Sequence, residues 1–136
     1  MTLERLVYVS ESRIEAAETN QVVARLVKNS RTRNACLAVS GALLFTGTHF
    51  AQILEGPPDS IAVILSALLD DTRHSNILIA AHFPINKRLF PEWQMAYHGP
   101  SQYVAKHVKR MLHVNPQSDH RRTIERLTQM FLEFCD

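Results

Sequence analysis

The chain has few cysteines, little net charge and no long hydrophobic run. Only two of its 136 residues are cysteine, which excludes a disulfide framework and a cysteine-based metal site. A net charge of +2 is too small to indicate nucleic acid or a membrane surface as a direct partner. The N-terminal segment carries charges where a signal peptide needs an apolar core, and no stretch is long enough to span a bilayer. None of the seven histidines has metal-ligand spacing to another, so we expect no metal site and a cytoplasmic protein.

The stretch from residue 34 to residue 56 predicts a β-hairpin around which the rest is organised. Its first strand, roughly Cys36 to Phe45, is almost wholly apolar, and Cys36 is expected to be a small core residue. Gly47 allows the positive φ of the turn, and His49 to Leu54 forms the second strand. Because side chains alternate along a strand, Gln52 shares a face with apolar neighbours. Its buried amide then needs hydrogen-bond partners from the protein or from a ligand.

The remaining periodicity predicts a ferredoxin-like α+β fold. Ser12 and Glu15 have capping-box spacing for the first helix, and an apolar stripe at helical spacing marks the second. In order, the predicted elements are a strand over Leu3 to Ser10, a helix from Ser12 to about Asn29, a polar connection over Ser30 to Asn34, the hairpin, a helix from Asp59 or Ser60 to about Asp71, a strand over Ile77 to Ile85 and a short strand over Trp93 to Tyr97. This is the β-α-β-β-α-β order with an extra strand.

Residues 100–136 differ in character from residues 1–99. Two amphipathic helices are predicted there, over about Ser101 to His113 and Ser118 to Phe134. The second carries an apolar stripe that must pack on the sheet or on a partner subunit. We therefore expect a domain over 1–99, a helical extension over 100–136, and a homo-oligomer formed through the sheet or the C-terminal helices.

The residues that could carry chemistry also have ordinary structural interpretations when each is taken alone. Tyr8 could be a core tyrosine with a hydrogen-bonded hydroxyl, and Gln52 could be a satisfied core amide. Asn34 could be a turn residue. Trp93 and Met95 could be core residues of a short strand. The functional interpretation therefore depends on their combination.

Together, five separated motifs resemble the BLUF family, sensors of blue light using FAD. They are LVYVS, RN followed by VSG, FxQxLEG, DTRH and FPEWQM, in this order over nearly all of residues 3 to 97. The resemblance implies the ferredoxin-like fold and a photoreceptor that is not an enzyme. It also implies non-covalent binding of FAD, with FMN or riboflavin as further candidates. Because no effector domain is recognised, it implies signalling in trans to a partner protein.

The resemblance also implies roles for particular residues. Tyr8 matches the tyrosine that donates an electron and a proton to the excited flavin, and Gln52 matches the glutamine between that tyrosine and the flavin. Asn34 matches the asparagine that hydrogen-bonds the flavin ring. The other implied cofactor-binding residues are Arg33, Leu26, Leu68, Asp71, Arg73 and His74. The implied signal-relay residues are Ser40, Trp93 and Met95. Ala67 departs from the pattern, since several members have a basic residue there.

Three other functions compete with this interpretation. An acylphosphatase-like enzyme shares the element order but needs a loop that binds an anion after the first strand. The loop from Ser10 to Arg13 has no glycine and contains an acidic residue, which argues against this function. An RNA-binding module would expose aromatic residues with basic neighbours on its central strands. The predicted sheet has too few aromatic residues for this, which argues against RNA binding. A BLUF-like interaction module that binds no flavin is the main alternative.

Overall fold

The computed structural model describes residues 2–91 and residues 125, 128, 129 and 132. The predicted fifth strand, the C-terminal helices, Trp93 and Met95 lie outside these residues, except for the four positions just given. The described elements are β1 (Leu3–Ser12), a short 3₁₀ helix (Ala16–Glu18), α1 (Thr19–Cys36), β2 (Ser40–Phe45), β3 (His49–Gly56), α2 (Pro58–Asp70) and β4 (His74–Ile85).

The four described strands form one antiparallel sheet in the order β2-β3-β1-β4. The strand β3 lies between β1 and β2, so the first β-α-β unit is split by a strand that comes later in the chain. This arrangement confirms the predicted ferredoxin-like α+β fold. It also makes β1 and β3 the central pair.

Side-chain alternation on β1 separates two apolar clusters on the two faces of the sheet. Leu6 packs with Leu54 of β3 and with Ile61 and Ile64 of α2. On the opposite face, Val7 belongs to a second cluster, whose buried members are Val7, Val9, Ala42, Leu44, Ala51, Ile53 and Phe90. Successive side chains of β1 therefore contribute to the cores on the two faces of the sheet.

The first helix begins later and ends later than the sequence predicted. Ser12 lies in β1 and does not cap the helix; its Oγ accepts a hydrogen bond from the backbone N–H of Ile14 at 3.1 Å. The helix continues through the predicted polar connection to Cys36, since no glycine or proline interrupts it there. It ends where Ala38 adopts a left-handed conformation with φ of 58°. The prediction of a buried strand residue at Cys36 was wrong, because Cys36 is exposed on the last helical turn.

The second helix and the fourth strand also begin earlier than predicted. Pro58 is the first residue of α2, a position that suits proline because the first helical N–H groups have no partner within the helix. The strand β4 begins at His74 and shifts its register against β1 near Asn76, which has φ of 50°. Within the described part of the chain, no helix combines the length and apolar character needed to cross a membrane.

Candidate functional site

The centre of the site is a pair of side chains on the two central strands. Tyr8 and Gln52 are direct cross-strand partners on β1 and β3. The Tyr8 hydroxyl donates a hydrogen bond to Gln52 Oε1 at 2.6 Å, and both residues are buried. The pairing explains how a polar amide is accommodated on an otherwise apolar strand.

The surroundings of Tyr8 keep its phenol protonated. Burial raises the pKa of Tyr8 well above its ordinary value, and the negative charge of Asp71 raises it further. The positive charges of Arg33 and Arg73 oppose this rise without cancelling it. The hydroxyl therefore retains its proton as the donor to Gln52 over the whole physiological pH range.

Tyr8 and Gln52 line a cleft between α1 and α2 on the helical face of the sheet. The cleft is partly open to solvent, and the space between its atoms is about 480 Å³ with that open part included. Its lining residues are Tyr8, Leu26, Ser30, Arg33, Leu43, Phe50, Gln52, Ala67, Leu68, Asp71, Arg73 and His74.

One end of the cleft carries an ion pair. Arg73 contacts the carboxylate of Asp71 through its side chain, with Nη2 to Oδ2 at 2.6 Å and Nε to Oδ1 at 2.9 Å. The Arg73 backbone N–H donates to the same Oδ1 at 3.0 Å. Partial burial by itself raises the pKa of Asp71, but the hydrogen bonds from Arg73 outweigh it and hold that pKa below its ordinary value. The same contacts raise the pKa of Arg73.

His74 links α2 to the strand that carries Tyr8. Its Nε2 lies 2.8 Å from the carbonyl oxygen of Leu68, which only accepts, so Nε2 carries a proton. Its Nδ1 lies 2.8 Å from Ser10 Oγ, and in a neutral ring this nitrogen accepts from the serine hydroxyl. The His74 ring also meets the ring of Tyr8 edge-on, with centroids 6.1 Å apart. Ser10 and His74 thereby fix the end of α2 against β1 beside the cleft.

Asn34 lies on the last turns of α1 and is fully buried. Its Oδ1 is 3.4 Å from Nε of Arg33, a residue that lines the cleft. Among the residues that the structure describes, no hydrogen-bond partner reaches its Nδ2. A buried donor without a partner destabilises a protein by about 1–3 kcal/mol. A bound molecule that accepts a hydrogen bond from this amide would remove that penalty.

The structure brings most of the predicted site residues together. The cleft contains Tyr8, Gln52, Arg33, Leu26, Leu68, Asp71, Arg73 and His74. Asn34 lies next to Arg33, whereas Ser40 lies away from the cleft and accepts a hydrogen bond from Arg88 at 2.7 Å. The sequence did not identify Ser10, although it shares a strand face with Tyr8 and that alternation could have indicated it. The sequence also did not identify Ser30 or Leu43 as lining residues.

Comparison with known proteins identifies the family. The model of BLUF, sensors of blue-light using FAD, matches residues 3–96. The chain belongs to the BLUF family. Among solved structures, the dark-state structure of BlrB, a BLUF protein, is 28% identical with a TM-score of 0.68. The match covers 90% of this chain and 94% of BlrB.

Curated relatives of this BLUF chain are much longer proteins. The photoactivated adenylate cyclase subunit beta of Euglena gracilis is 28% identical over 93 residues, which are 68% of this chain and 11% of the relative. The blue light- and temperature-regulated antirepressor BluF of Escherichia coli K12 is 38% identical over 76 residues, which are 56% of this chain and 18% of the relative. The chain thus spans less than a fifth of the length of either relative. The similarity concerns the sensor module that the family model describes.

BLUF domains bind flavin, and the family description names FAD. The residues of the cleft fit such a group. Leu26 of α1 and Leu68 of α2 provide apolar surface, and Asn34, next to the lining residue Arg33, provides an amide donor that lacks a partner among the described residues. A flat ring system with polar edges needs this combination of apolar surface and a few hydrogen-bonding groups.

Proposed function

We propose that this protein is a blue-light photoreceptor that binds FAD non-covalently in the cleft between α1 and α2. Membership of the BLUF family supports a sensory role. The observation that carries the proposal is the buried hydrogen bond between Tyr8 and Gln52, which lines this cleft.

The flavin is held by groups from three parts of the chain. Leu26 and Leu68 would provide apolar contacts to the ring, and Asn34 would donate the hydrogen of its unpartnered Nδ2 to an acceptor on it. Arg33 and the Asp71–Arg73 pair lie at the polar end of the cleft, and His74 holds the end of α2 in place. FMN and riboflavin have the same ring, so both would be accepted at these positions.

Tyr8 and Gln52 form the photochemical pair of the proposal. Bound FAD that has absorbed blue light supplies a strong oxidant. Tyr8 would be the residue that donates an electron and its phenolic proton to that oxidant and that takes both back afterwards. Gln52 has a donor and an acceptor at the two ends of its amide, so rotation exchanges the groups that face Tyr8. Because no net product is formed, the protein acts as a switch and not as an enzyme.

The output of the switch is proposed to act in trans on a partner protein. In this proposal residues 1–99 are the sensor and residues 100–136 are a helical extension that contacts the sheet or a second subunit. Ser40, Trp93 and Met95 relay the change away from Gln52. A light-driven change of this kind, in which no ligand is gained or lost, shifts the population of two conformations. Light-scattering masses of dark and lit samples, alone and with candidate partners, would test the assembly.

The test of the proposed function is the visible absorption spectrum of the purified protein in the dark and under blue light. We expect a flavin band that shifts slightly to longer wavelength in light and recovers in the dark. Tyr8→Phe should bind the flavin and lose the shift, because it removes the hydroxyl and little else. Tyr103→Phe is the matched control, since it makes the same change outside the family match.

Two outcomes would contradict the proposal. A flavin band that only bleaches would indicate flavin binding with different photochemistry. A protein that stays colourless after FAD is added would favour the alternative of an interaction module without flavin.

A further inference from the structure

One row of paired residues crosses all four described strands on the face opposite the cleft. Ser40 of β2 pairs with Glu55 of β3, Glu55 pairs with Arg5 of β1, and Arg5 pairs with Phe83 of β4. Their side chains interact across the strands: Arg5 forms an ion pair with Glu55 at 2.7 Å and its guanidinium lies 5.5 Å from the centroid of the Phe83 ring. The row therefore links every described strand at one end of the sheet.

Glu55 is a fully buried carboxylate at the centre of this row. Arg5 Nε donates to its Oε2 at 2.9 Å. The other donors come from the segment that follows β4: the backbone N–H of Leu89 donates to Oε2 at 3.1 Å, and that of Phe90 donates to Oε1 at 2.8 Å. A buried charge needs such partners, since an unpaired carboxylate would be strongly unfavourable there. The position of residues 89 and 90 thus depends on Glu55.

Arg88 fastens the same segment to the sheet through three acceptors. Its Nη1 donates to Ser40 Oγ at 2.7 Å and to the carbonyl oxygen of Glu55 at 3.1 Å, and its Nη2 donates to the carbonyl oxygen of Ala38 at 2.7 Å. The planar fork of arginine allows it to contact β2 and β3 at once. We call the contacts of residues 88–90 with Ala38, Ser40 and Glu55 the clasp. Phe90 extends the clasp into the apolar cluster on this face of the sheet.

The clasp is connected to the photochemical pair through a single strand. Gln52 and Glu55 are three positions apart on β3, about 10 Å along the strand. Alternation places Gln52 on the cleft face and Glu55 on the opposite face. A change in the pairing of β3 with β1 at the Tyr8–Gln52 position would therefore alter the position of the Glu55 acceptors relative to residues 88–90.

We propose that Glu55 is the positioning residue that couples the cleft to the segment after β4, and that light opens the clasp. The proposal rests on the proposed function, because it takes the rearrangement at Gln52 as its cause. In the dark the carboxylate holds the amides of Leu89 and Phe90. In the lit state these amides are released, and the segment that leads into residues 92–136 changes its position on the sheet.

Hydrogen exchange of single amides in the flavin-loaded wild-type protein tests this directly. The amides of Leu89 and Phe90 should be protected in the dark and should exchange severalfold faster under continuous blue light. The amide of Ile64, buried in the middle of α2 and outside both the clasp and the pairing of β1 with β3, should keep its rate. Equal dark and lit rates at Leu89 and Phe90, in a protein whose absorption band shifts, would overturn the coupling and leave the proposed function intact.

Variants at two residues distinguish loss of the clasp from a general loss of stability. Glu55→Gln keeps the shape but replaces one acceptor oxygen with a donor, so at least one of the Leu89 and Phe90 amides, which donate to different oxygens, should exchange fast already in the dark while the spectral shift remains. Glu4→Gln is the matched control, because Glu4 is the neighbouring carboxylate on β1 and contacts His82 at 2.9 Å. Should Glu55→Gln not fold, Arg88→Gln tests the same contacts from the other side, with Lys87→Gln as its control.

The outcomes of these variants are distinct. Dark protection that persists at Leu89 and Phe90 in Glu55→Gln, or in Arg88→Gln, would overturn the clasp. A wild-type protein without any spectral shift would overturn the proposed function and, with it, the coupling to light.

Discussion

Tyr8 and Gln52 lie directly opposite each other on the two central strands, and the tyrosine hydroxyl donates to the amide oxygen at 2.6 Å. Each side chain satisfies a polar group of the other at a buried position. The contact therefore has a structural effect that can be separated from its proposed role in photochemistry.

Gln52→Leu should abolish the light-induced shift of the flavin band and lower the free energy of unfolding. The destabilisation should be about 1–3 kcal/mol, because the Tyr8 hydroxyl is left buried without its partner. Adding Tyr8→Phe should restore part of that loss, since both polar groups are then gone. Denaturant unfolding of the two single variants and the double variant measures the coupling. Gln21→Leu, at an exposed position of α1, is the control. If the losses of unfolding free energy in the two single variants simply add up in the double variant, Tyr8 and Gln52 do not interact.

Asn34→Leu should weaken flavin binding without destabilising the flavin-free protein. The variant removes the buried Nδ2 that has no partner among the described residues, and the only side-chain contact it is shown to lose is the long 3.4 Å hydrogen bond from Arg33 Nε. The loss of one hydrogen bond to the flavin, about 1.4 kcal/mol, corresponds to roughly tenfold weaker binding. Flavin titration and denaturant unfolding measure the two effects, with Asn29→Leu on the exposed side of the same helix as the control. A large loss of stability with unchanged affinity would show that the amide serves the protein and not the ligand.

Gly41→Ala should destabilise the sheet far more than Gly47→Ala. A Cβ at residue 41 would overlap the backbone oxygen of Ile53 on the neighbouring strand, so the strands would have to separate. We expect a loss on the order of 3 kcal/mol or more from such overpacking. Gly47, in the hairpin turn with φ of 100°, should lose only about 1 kcal/mol through backbone strain. Similar unfolding midpoints for the two variants would argue against the close approach of β2 and β3.

The ion pair at the end of the cleft predicts a dependence of stability on acid. Because Arg73 holds the pKa of Asp71 below its ordinary value of 3.8, the folded protein binds this proton less readily than the unfolded chain. The resulting stabilisation is complete above that ordinary value and is lost as the pH falls through the lowered pKa. Asp71→Asn should therefore show a shallower loss of stability below about pH 4 than wild type. Denaturant unfolding at several pH values in this range measures the free energy of unfolding as a function of pH. Asp70→Asn, at an exposed neighbouring position, is the control and should keep the pH dependence of wild type.

The sequence determined the local features of this protein. Side-chain alternation around Gln52 and helical spacing in the second helix indicated these elements and their faces, because such periods depend only on neighbouring residues. The order of the motifs indicated the family, which the family comparison confirmed. Local patterns were less reliable at element ends: the polar stretch from Ser30 to Asn34 was predicted as a connection, but it continues α1, since nothing in it breaks a helix.

Only the tertiary structure decided which distant residues meet. Tyr8 and Gln52 are 44 positions apart, and Ser10 and His74 are 64 apart. Sequence alternation can place each of them on a face, but the register of neighbouring strands is set by how all the strands and helices pack together. The partners of the buried Glu55 could not be identified from the sequence either, because the path of the chain after β4 brings residues 89 and 90 to it. Local chemistry thus selected the residues capable of function, and packing of the whole domain selected the pairs that they form.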